Sequence, residues 1–168
     1  MAMDRTNMVS LLDMGSLMGG ASPKIMEMGD GYTELTEDWG PSVTTNQYIN
    51  RNSKSSTVSG YEFSMNPERE YLSDDMQKAI DSLFKKLPTG KDCETTYYRF
   101  FKTDGVAGKS DEFAAVKIPV VVAPSSTGGE GGGNLVSSIQ ITGNGDAREG
   151  YIKLGSDGTY TWSESQSA

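Results

Sequence analysis

Residues 133–162, reading GNLVSSIQITGNGDAREGYIKLGSDGTYTW, constrain the fold more than any other stretch of this chain. Short β-rich runs separated by glycine turns predict three strands. Over 135–142, Leu135, Ser137, Ile139 and Ile141 alternate with Val136, Ser138, Gln140 and Thr142, so one face is apolar and the other mostly polar. Residues 150–154 and 159–162 form a hairpin through Gly155, Ser156, Asp157 and Gly158, with Gly158 suited to a left-handed conformation. Just before these lies the longest predicted strand, 112–123. Its Ala114, Val116, Ile118, Val120 and Val122 share one face. Pro119 has no N–H to donate, so it predicts an edge or a bulge.

The rest of the chain continues the β pattern around a single helix. Residues 94–103 carry Tyr97, Arg99 and Phe101 on one face and Tyr98 and Phe100 on the other. Both faces are bulky, which predicts a strand covered on both sides. Residues 104–111 read as a polar loop and 124–133, PSSTGGEGGG, as a flexible one. Gly29, Asp30 and Gly31 signal a turn opening a strand over 32–36, and 61–65 alternates like a half-buried strand. Residues 42–59 are rich in Ser, Thr and Asn and read as mixed strand and loop, with Tyr48 and Ile49 as apolar anchors. In the helix, Ser73 is the predicted N-cap and Asp74 and Asp75 lie in the first turn. Met76, Ala79, Ile80, Leu83, Phe84 and Leu87 form one apolar stripe, predicted to be core. Lys85 and Lys86 fill the last turn and Pro88 ends the helix.

The N-terminus is unusual. Seven of the nine methionines fall within residues 1–30. Gly15, Gly19 and Gly20 discourage a stable helix there, and methionine suits adaptable surfaces. Two readings follow: an arm that docks on a neighbouring subunit, or a tail that packs on its own domain. The first predicts inter-subunit contacts at Met8, Leu11, Leu12, Met14, Leu17 and Met18, with Pro119 at a strand edge. The expected organisation is a flexible arm (1–28), one β domain (29–163) and a disordered tail (164–168).

Composition argues against catalysis. The chain has no histidine, the commonest general acid or base and metal ligand. Its one cysteine, Cys93, has neither a disulfide partner nor a histidine to activate it. The carboxylates Glu34, Glu37, Asp38, Asp74, Asp75, Asp111 and Glu112 read as solvated surface. Residues 143–146 lack the alternating ligands and closing glutamate of a calcium loop. Neither the 124–133 loop nor residues 88–92 has the ending of a phosphate-binding loop. No cofactor and no metal site are expected. The net charge of −8 opposes sequence-specific nucleic-acid binding. No apolar run approaches the ~20 residues of a membrane span. The N-terminus is a poor secretory signal, so no membrane partner is expected.

Taken together, the GDGYTELTEDWGP segment, the helix YLSDDMQKAIDSLF followed by LPTGKD, the aromatic and Val-rich strands and VSSIQITGNGDAREGYIKLGSDGTYTW resemble the tail tube (major tail) proteins of long-tailed phages of Gram-positive bacteria. The similarity covers about residues 29–163. It implies an antiparallel β-sandwich or barrel with one flanking α-helix. It also implies homohexameric rings stacked into a hollow tube through which double-stranded DNA passes without sequence-specific binding. Made in the host cytoplasm, such a protein would sit in the virion tail. It would meet copies of itself, a tape measure protein, a tail terminator and baseplate or tail tip proteins. On this reading the polar face Ser138, Gln140 and Thr142 lines the lumen. Related tubes of contractile tails and secretion systems fit as well. The competing class is a monomeric β-sandwich module that binds a sugar or a surface, with Trp39 and Trp162 as a stacking platform.

Overall fold

The computed structural model describes residues 1–166. Its strands are β1 (Met8–Asp13), β2 (Ile25–Glu27), β3 (Ser42–Asn46), β4 (Ser55–Gly60), β5 (Ser64–Met65), β6 (Glu68–Glu70), β7 (Glu94–Gly105), β8 (Glu112–Gly128), β9 (Val136–Gly143), β10 (Arg148–Leu154) and β11 (Tyr160–Ser163). One helix, α1 (Asp75–Lys86), lies between β6 and β7. The main sheet runs β11-β10-β8-β7-β1-β2, and β9 pairs with β8 on one side and with β5 and β6 on the other. Every pairing is antiparallel.

The long strand β8 organises the sheet. It pairs with β7 from Ala115 to Val121. On its opposite side it pairs with β10 over residues 112–117 and with β9 over residues 120–128. Pro119 sits where one partner gives way to the other. Its carbonyl accepts from Asn144 N at 2.8 Å, so its missing N–H points into the same gap, where no ladder bond is lost. The sequence pattern placed Pro119 on a subunit edge; it is instead an interior junction. The strand also runs five residues past the predicted end, because Pro124–Gly128 pairs with β9 through a bulge. What read as the start of a flexible loop is therefore sheet.

Alternation along the strands builds two cores on opposite faces. On one face Tyr97, Ile118, Val120, Val122, Ile139 and Ile141 pack with Met76, Ala79, Ile80 and Leu83 of α1. On the other, Tyr98, Phe100, Ala115 and Ile152 pack with Val9 and Leu11, and Tyr160 and Trp162 cover them. The sheet curls until its end strands β11 and β2 touch. There the Tyr160 hydroxyl donates to Glu27 Oε2 at 3.4 Å.

The N-terminal segment is part of this body. β1 pairs with β7 and β2. Leu11 enters one core while Leu12, Met14 and Leu17 enter the other. The expected arm is thus corrected to an integral strand: β1 completes the free hydrogen-bonding edge of β7, pairing from Met8 to Leu12. Residues 32–36 form no strand, only a bridge from Tyr32 to Arg69. Of the expected disordered tail, 167–168 lie outside the described residues, and Glu164 is engaged, accepting from Lys117 Nζ at 3.3 Å and Trp162 Nε1 at 3.4 Å.

The helix starts one residue later than predicted. Asp74 is its N-cap and accepts from Gln77 N at 2.9 Å. Arg69, buried on β6, clamps this end. Its guanidinium donates to Asp30 O at 3.2 Å, to Gln77 Oε1 at 3.0 Å and to Asp74, and it lies over the Tyr32 ring. Three segments, β6, the 29–32 turn and the start of α1, thereby converge on one buried charge with several partners, which a buried cation requires. At the other end, Leu87 leaves the predicted stripe. Pro88 disfavours right-handed helical backbone at the residue before it, and Leu87 becomes a left-handed cap with φ 46° and 63% exposure.

This contrast yields an expected outcome. Leu83 is 1% exposed, so Leu83→Ala costs about 2–5 kcal/mol through lost contact and a cavity. Leu87→Ala changes stability by about 0.5 kcal/mol or less. Thermal melts of both variants check it. Equal losses would place Leu87 in the core after all.

Candidate assembly surface

Among the described residues, the charged side chains that share shallow clefts are carboxylates, lysines and arginines. Among the described residues no group of three or more His, Cys, Asp or Glu is placed to hold a metal ion. Cys93 is buried and its thiol donates to Pro88 O at 3.1 Å. The two tryptophans do not form a platform. Trp39 packs edge-on against Phe63, with centroids 4.9 Å apart, on the helix side of the sheet. Trp162 packs on Tyr98 at 5.5 Å, with the opposite core. The shared stacking surface expected of a binding module is absent because each ring is spent on a different face.

The residues expected at subunit contacts are scattered. Leu11, Leu12, Met14 and Leu17 are buried in their own chain, so they are withdrawn as contacts. Met8 is half-buried and Met18 exposed. Ser138, Gln140 and Thr142 do share one face of β9, with Gln140 exposed and the other two half-buried.

Two surfaces stand out in their place. The first is the hairpin of β3 and β4, a separate two-stranded sheet. From residue 41 to residue 59 only Ser55 is even half-buried. Its tip turns through residues 48–51, where Arg51 N donates to Tyr48 O at 3.1 Å. Two strands alone are marginal in water, yet this pair exposes Val43, Tyr48, Ile49 and Val58. The sequence pattern makes Tyr48 and Ile49 apolar anchors; they are exposed, and among the described residues no third strand pairs with this hairpin. The second surface is the β7 side of β8 beyond Val121. β7 begins at Glu94, opposite Val121, so Val122–Gly128 has no strand on that flank among the described residues. An open strand edge is a template for pairing with another chain.

The hairpin is rigidly rooted. Glu62 N donates to Trp39 O at 2.9 Å and Ser64 N to Asp38 O at 2.7 Å. Gly40, at φ 42°, turns the chain where an added Cβ would lie 2.9 Å from Glu62 O. Beside this root Glu37 is buried against Arg99, Oε2 to Nη1 at 3.4 Å. Burial holds the Glu37 carboxyl above the ordinary carboxylate range, while Arg99 and Arg5 pull the other way. Burial also raises the hydroxyls of Tyr97 and of Tyr32, the latter to about 12. These phenols stay neutral at ordinary pH and serve the packing, with Tyr97 donating to Ser10 Oγ at 2.9 Å.

No family model and no curated protein matches this sequence. Solved structures do match its fold. It superposes with TM-score 0.61 and 9% identity on a chain from the tail of an empty gene transfer agent (GTA) particle, refined helically with C6 symmetry, over 88% of this chain and 98% of that one. A chain of the native GTA virion matches with TM-score 0.57 and 9% identity, again over 88% and 98%. A chain of an extracellular contractile injection system, the PVC sheath–tube complex in its extended state, matches with TM-score 0.52 and 6% identity over 91% and 93%. This chain therefore shares, nearly end to end, the mainly antiparallel β fold with one helix found in tail and tube assemblies. The likeness is broader than the resemblance to phages of Gram-positive bacteria, since it reaches a GTA tail and a contractile system.

The Glu37 site makes a pH prediction. A folded pKa above the unfolded one means that the fold prefers the protonated acid. Its contribution to stability is full below the unfolded pKa and is lost as pH rises through the folded pKa. The advantage of wild type over Glu37→Gln is therefore largest near about pH 4 and shrinks toward neutrality. Melts across that range measure it. A gap that widens with pH would mean that attraction to Arg99 outweighs burial.

Proposed function

We propose that this chain is the repeating structural subunit of a tail or tube, forming rings that stack into a hollow conduit for double-stranded DNA. The observation that supports this best is the near-complete fold match to chains of tail and tube assemblies. The rest of the molecule agrees with it. The body has two filled cores, while an open strand edge and an unsupported apolar hairpin remain for neighbours. Head-to-tail contacts between such unlike surfaces close into rings or extend into filaments. Pairing at a strand edge adds backbone hydrogen bonds, each worth about 0.5–1.5 kcal/mol net. On this reading the exposed face of β9 around Gln140 lines the lumen, and the acidic chain keeps the DNA backbone from adhering within the ~8 Å reach of charge at physiological salt. The tail location, the hexameric ring and the terminator and baseplate partners belong to the same proposal.

Electron microscopy of the purified wild-type protein tests it directly, with rings or tubes expected and a monomer at every concentration counting against it. Gln140→Arg refines the test. Because Gln140 is exposed, the variant folds and assembles normally, but a ring of cations in the lumen retards the passage of DNA by at least about tenfold. Normal genome delivery by Gln140→Arg particles would remove β9 from the lumen.

A further inference from the structure

The hairpin differs from the rest of the chain in charge as well as in burial. Residues 41–60 contain two cations, Arg51 and Lys54, and no Asp or Glu, in a chain whose net charge is −8. The Arg51 guanidinium lies over the Tyr48 ring, 5.9 Å from its centroid. Next to it, Ile49 at the tip is fully exposed. Single exposed apolar residues are ordinary. An isoleucine at the end of a ribbon with no core, flanked by a tyrosine and an arginine, has the make-up of an interface anchor.

A complementary receptor exists on the same molecule. A groove of about 600 Å³ runs between β2, the start of α1 and the β10–β11 turn. Ile25, Met26 and Tyr160 make its apolar floor, and Glu27, Asp74 and Asp75 its rim, with Lys24 the one cation in its lining. The floor residues bridge the two cores: Ile25 and Tyr160 pack with one and Met26 with the other. Asp74 is engaged by Arg69, but the Asp75 side chain is 76% exposed and only 3.9 Å contact with Lys78 competes for it. One other cavity sets Arg5 and Lys102 against Glu27 and Glu34, so its charge is balanced and gives the tip no net attraction. Another holds Asp104, Glu149 and Glu164 beside Arg99, with Glu164 already taken by Lys117; a cross-link at Met26 separates it from the β2 groove.

We infer that the β3–β4 hairpin of one copy docks its tip, Tyr48, Ile49 and Arg51, into the β2–α1–β11 groove of a second copy. Ile49 meets the apolar floor, and Arg51 with Lys54 meets the acidic rim at Asp75. This deepens the tail or tube reading and rests on it for the repeating partner. The contact joins unlike surfaces, so each copy offers one hairpin and one groove. Such a heterologous contact propagates without self-limiting, as stacking requires. It also covers a two-stranded element that is marginal when bare.

The test combines cross-linking with charge exchange, on the full chain with Cys93→Ser to remove the native thiol. Ile49→Cys protein is mixed with Met26→Cys protein and oxidised. The expected product is a disulfide-linked pair that forms only in the mixture. Arg51→Asp and Asp75→Arg each raise the concentration needed for assembly by about tenfold or more, equivalent to ~1.4 kcal/mol. The double variant recovers most of the loss. Both positions are exposed, so melting temperatures should stay near wild type, which separates assembly from folding. Tubes from wild type with no cross-link, or no rescue by the double variant, overturn the docking while the tube reading stands. Cross-linked pairs from a protein that never forms tubes support the docking and remove the tube. A protein that neither cross-links nor assembles removes both. Loss of DNA retention with unchanged assembly on Arg51→Asp would make the hairpin a nucleic-acid contact and overturn the inference.

Discussion

The body of this protein depends on one strand serving three neighbours. β8 keeps β7 on one side, and on the other it exchanges β10 for β9 at Pro119. A ladder that changes partner must leave one residue facing the gap. Proline suits that residue because it has no N–H to leave unpaired. The consequence is architectural. The N-terminal half of β8 belongs to the curled sheet whose ends meet at Tyr160 and Glu27. The C-terminal half belongs to a second flank made of β9, β5 and β6. A single 17-residue strand thus ties the two parts together, and neither could shift register without moving the other.

Burial on both faces of β7 and β8 follows from this sharing. Tyr97 and Tyr98 point oppositely, and each is buried in a different cluster. The helix α1 covers one face, and on the other the curled sheet brings Tyr160 and Trp162 of β11 over Phe100 and Tyr98. Apolar burial contributes roughly 25 cal/mol per Å², so strands with two bulky faces need covers on both sides. The Met-rich N-terminus fills that need on the helix side, where flexible Met14 and Met28 adapt to the gaps between Leu12, Tyr97 and α1. The buried Arg69 stitches the covers to the sheet, since its partners lie on the 29–32 turn and on α1.

With both cores closed, the apolar residues that remain outside are informative. Four of them, Val43, Tyr48, Ile49 and Val58, lie on a hairpin that the body does not support, with Trp39, Phe63 and the Glu37–Arg99 pair at its root. A stiff root under a bare tip is the arrangement of a docking element. A mobile loop would lose more conformational freedom on binding. The open flank of β8 lies on the same β8–β9 extension that the body leaves unpaired by β7. Both surfaces are the ones offered to the contacts between copies proposed above.

The sequence by itself determined the strand-rich character, the helix and most of its buried stripe, and the two-sided burial at Tyr97, Tyr98 and Phe100 within 94–103. These are local periodicities, set by which residues alternate at period 2 or repeat at 3.6. It did not determine what the apolar residues outside those periodicities would touch. Leu11, Leu12 and Met14 looked available for a neighbour, yet β7 captured them. Tyr48 and Ile49 looked like apolar anchors, yet both are exposed. Pro119 marked a missing hydrogen bond correctly but not its place, because an edge and a partner exchange leave the same trace in one strand. Leu87 continued the helical stripe on paper, and Pro88 turned it outward. The tertiary structure decided these cases for one physical reason: burial and pairing depend on neighbours distant in sequence, and periodicity along one segment carries no record of which segment will cover it.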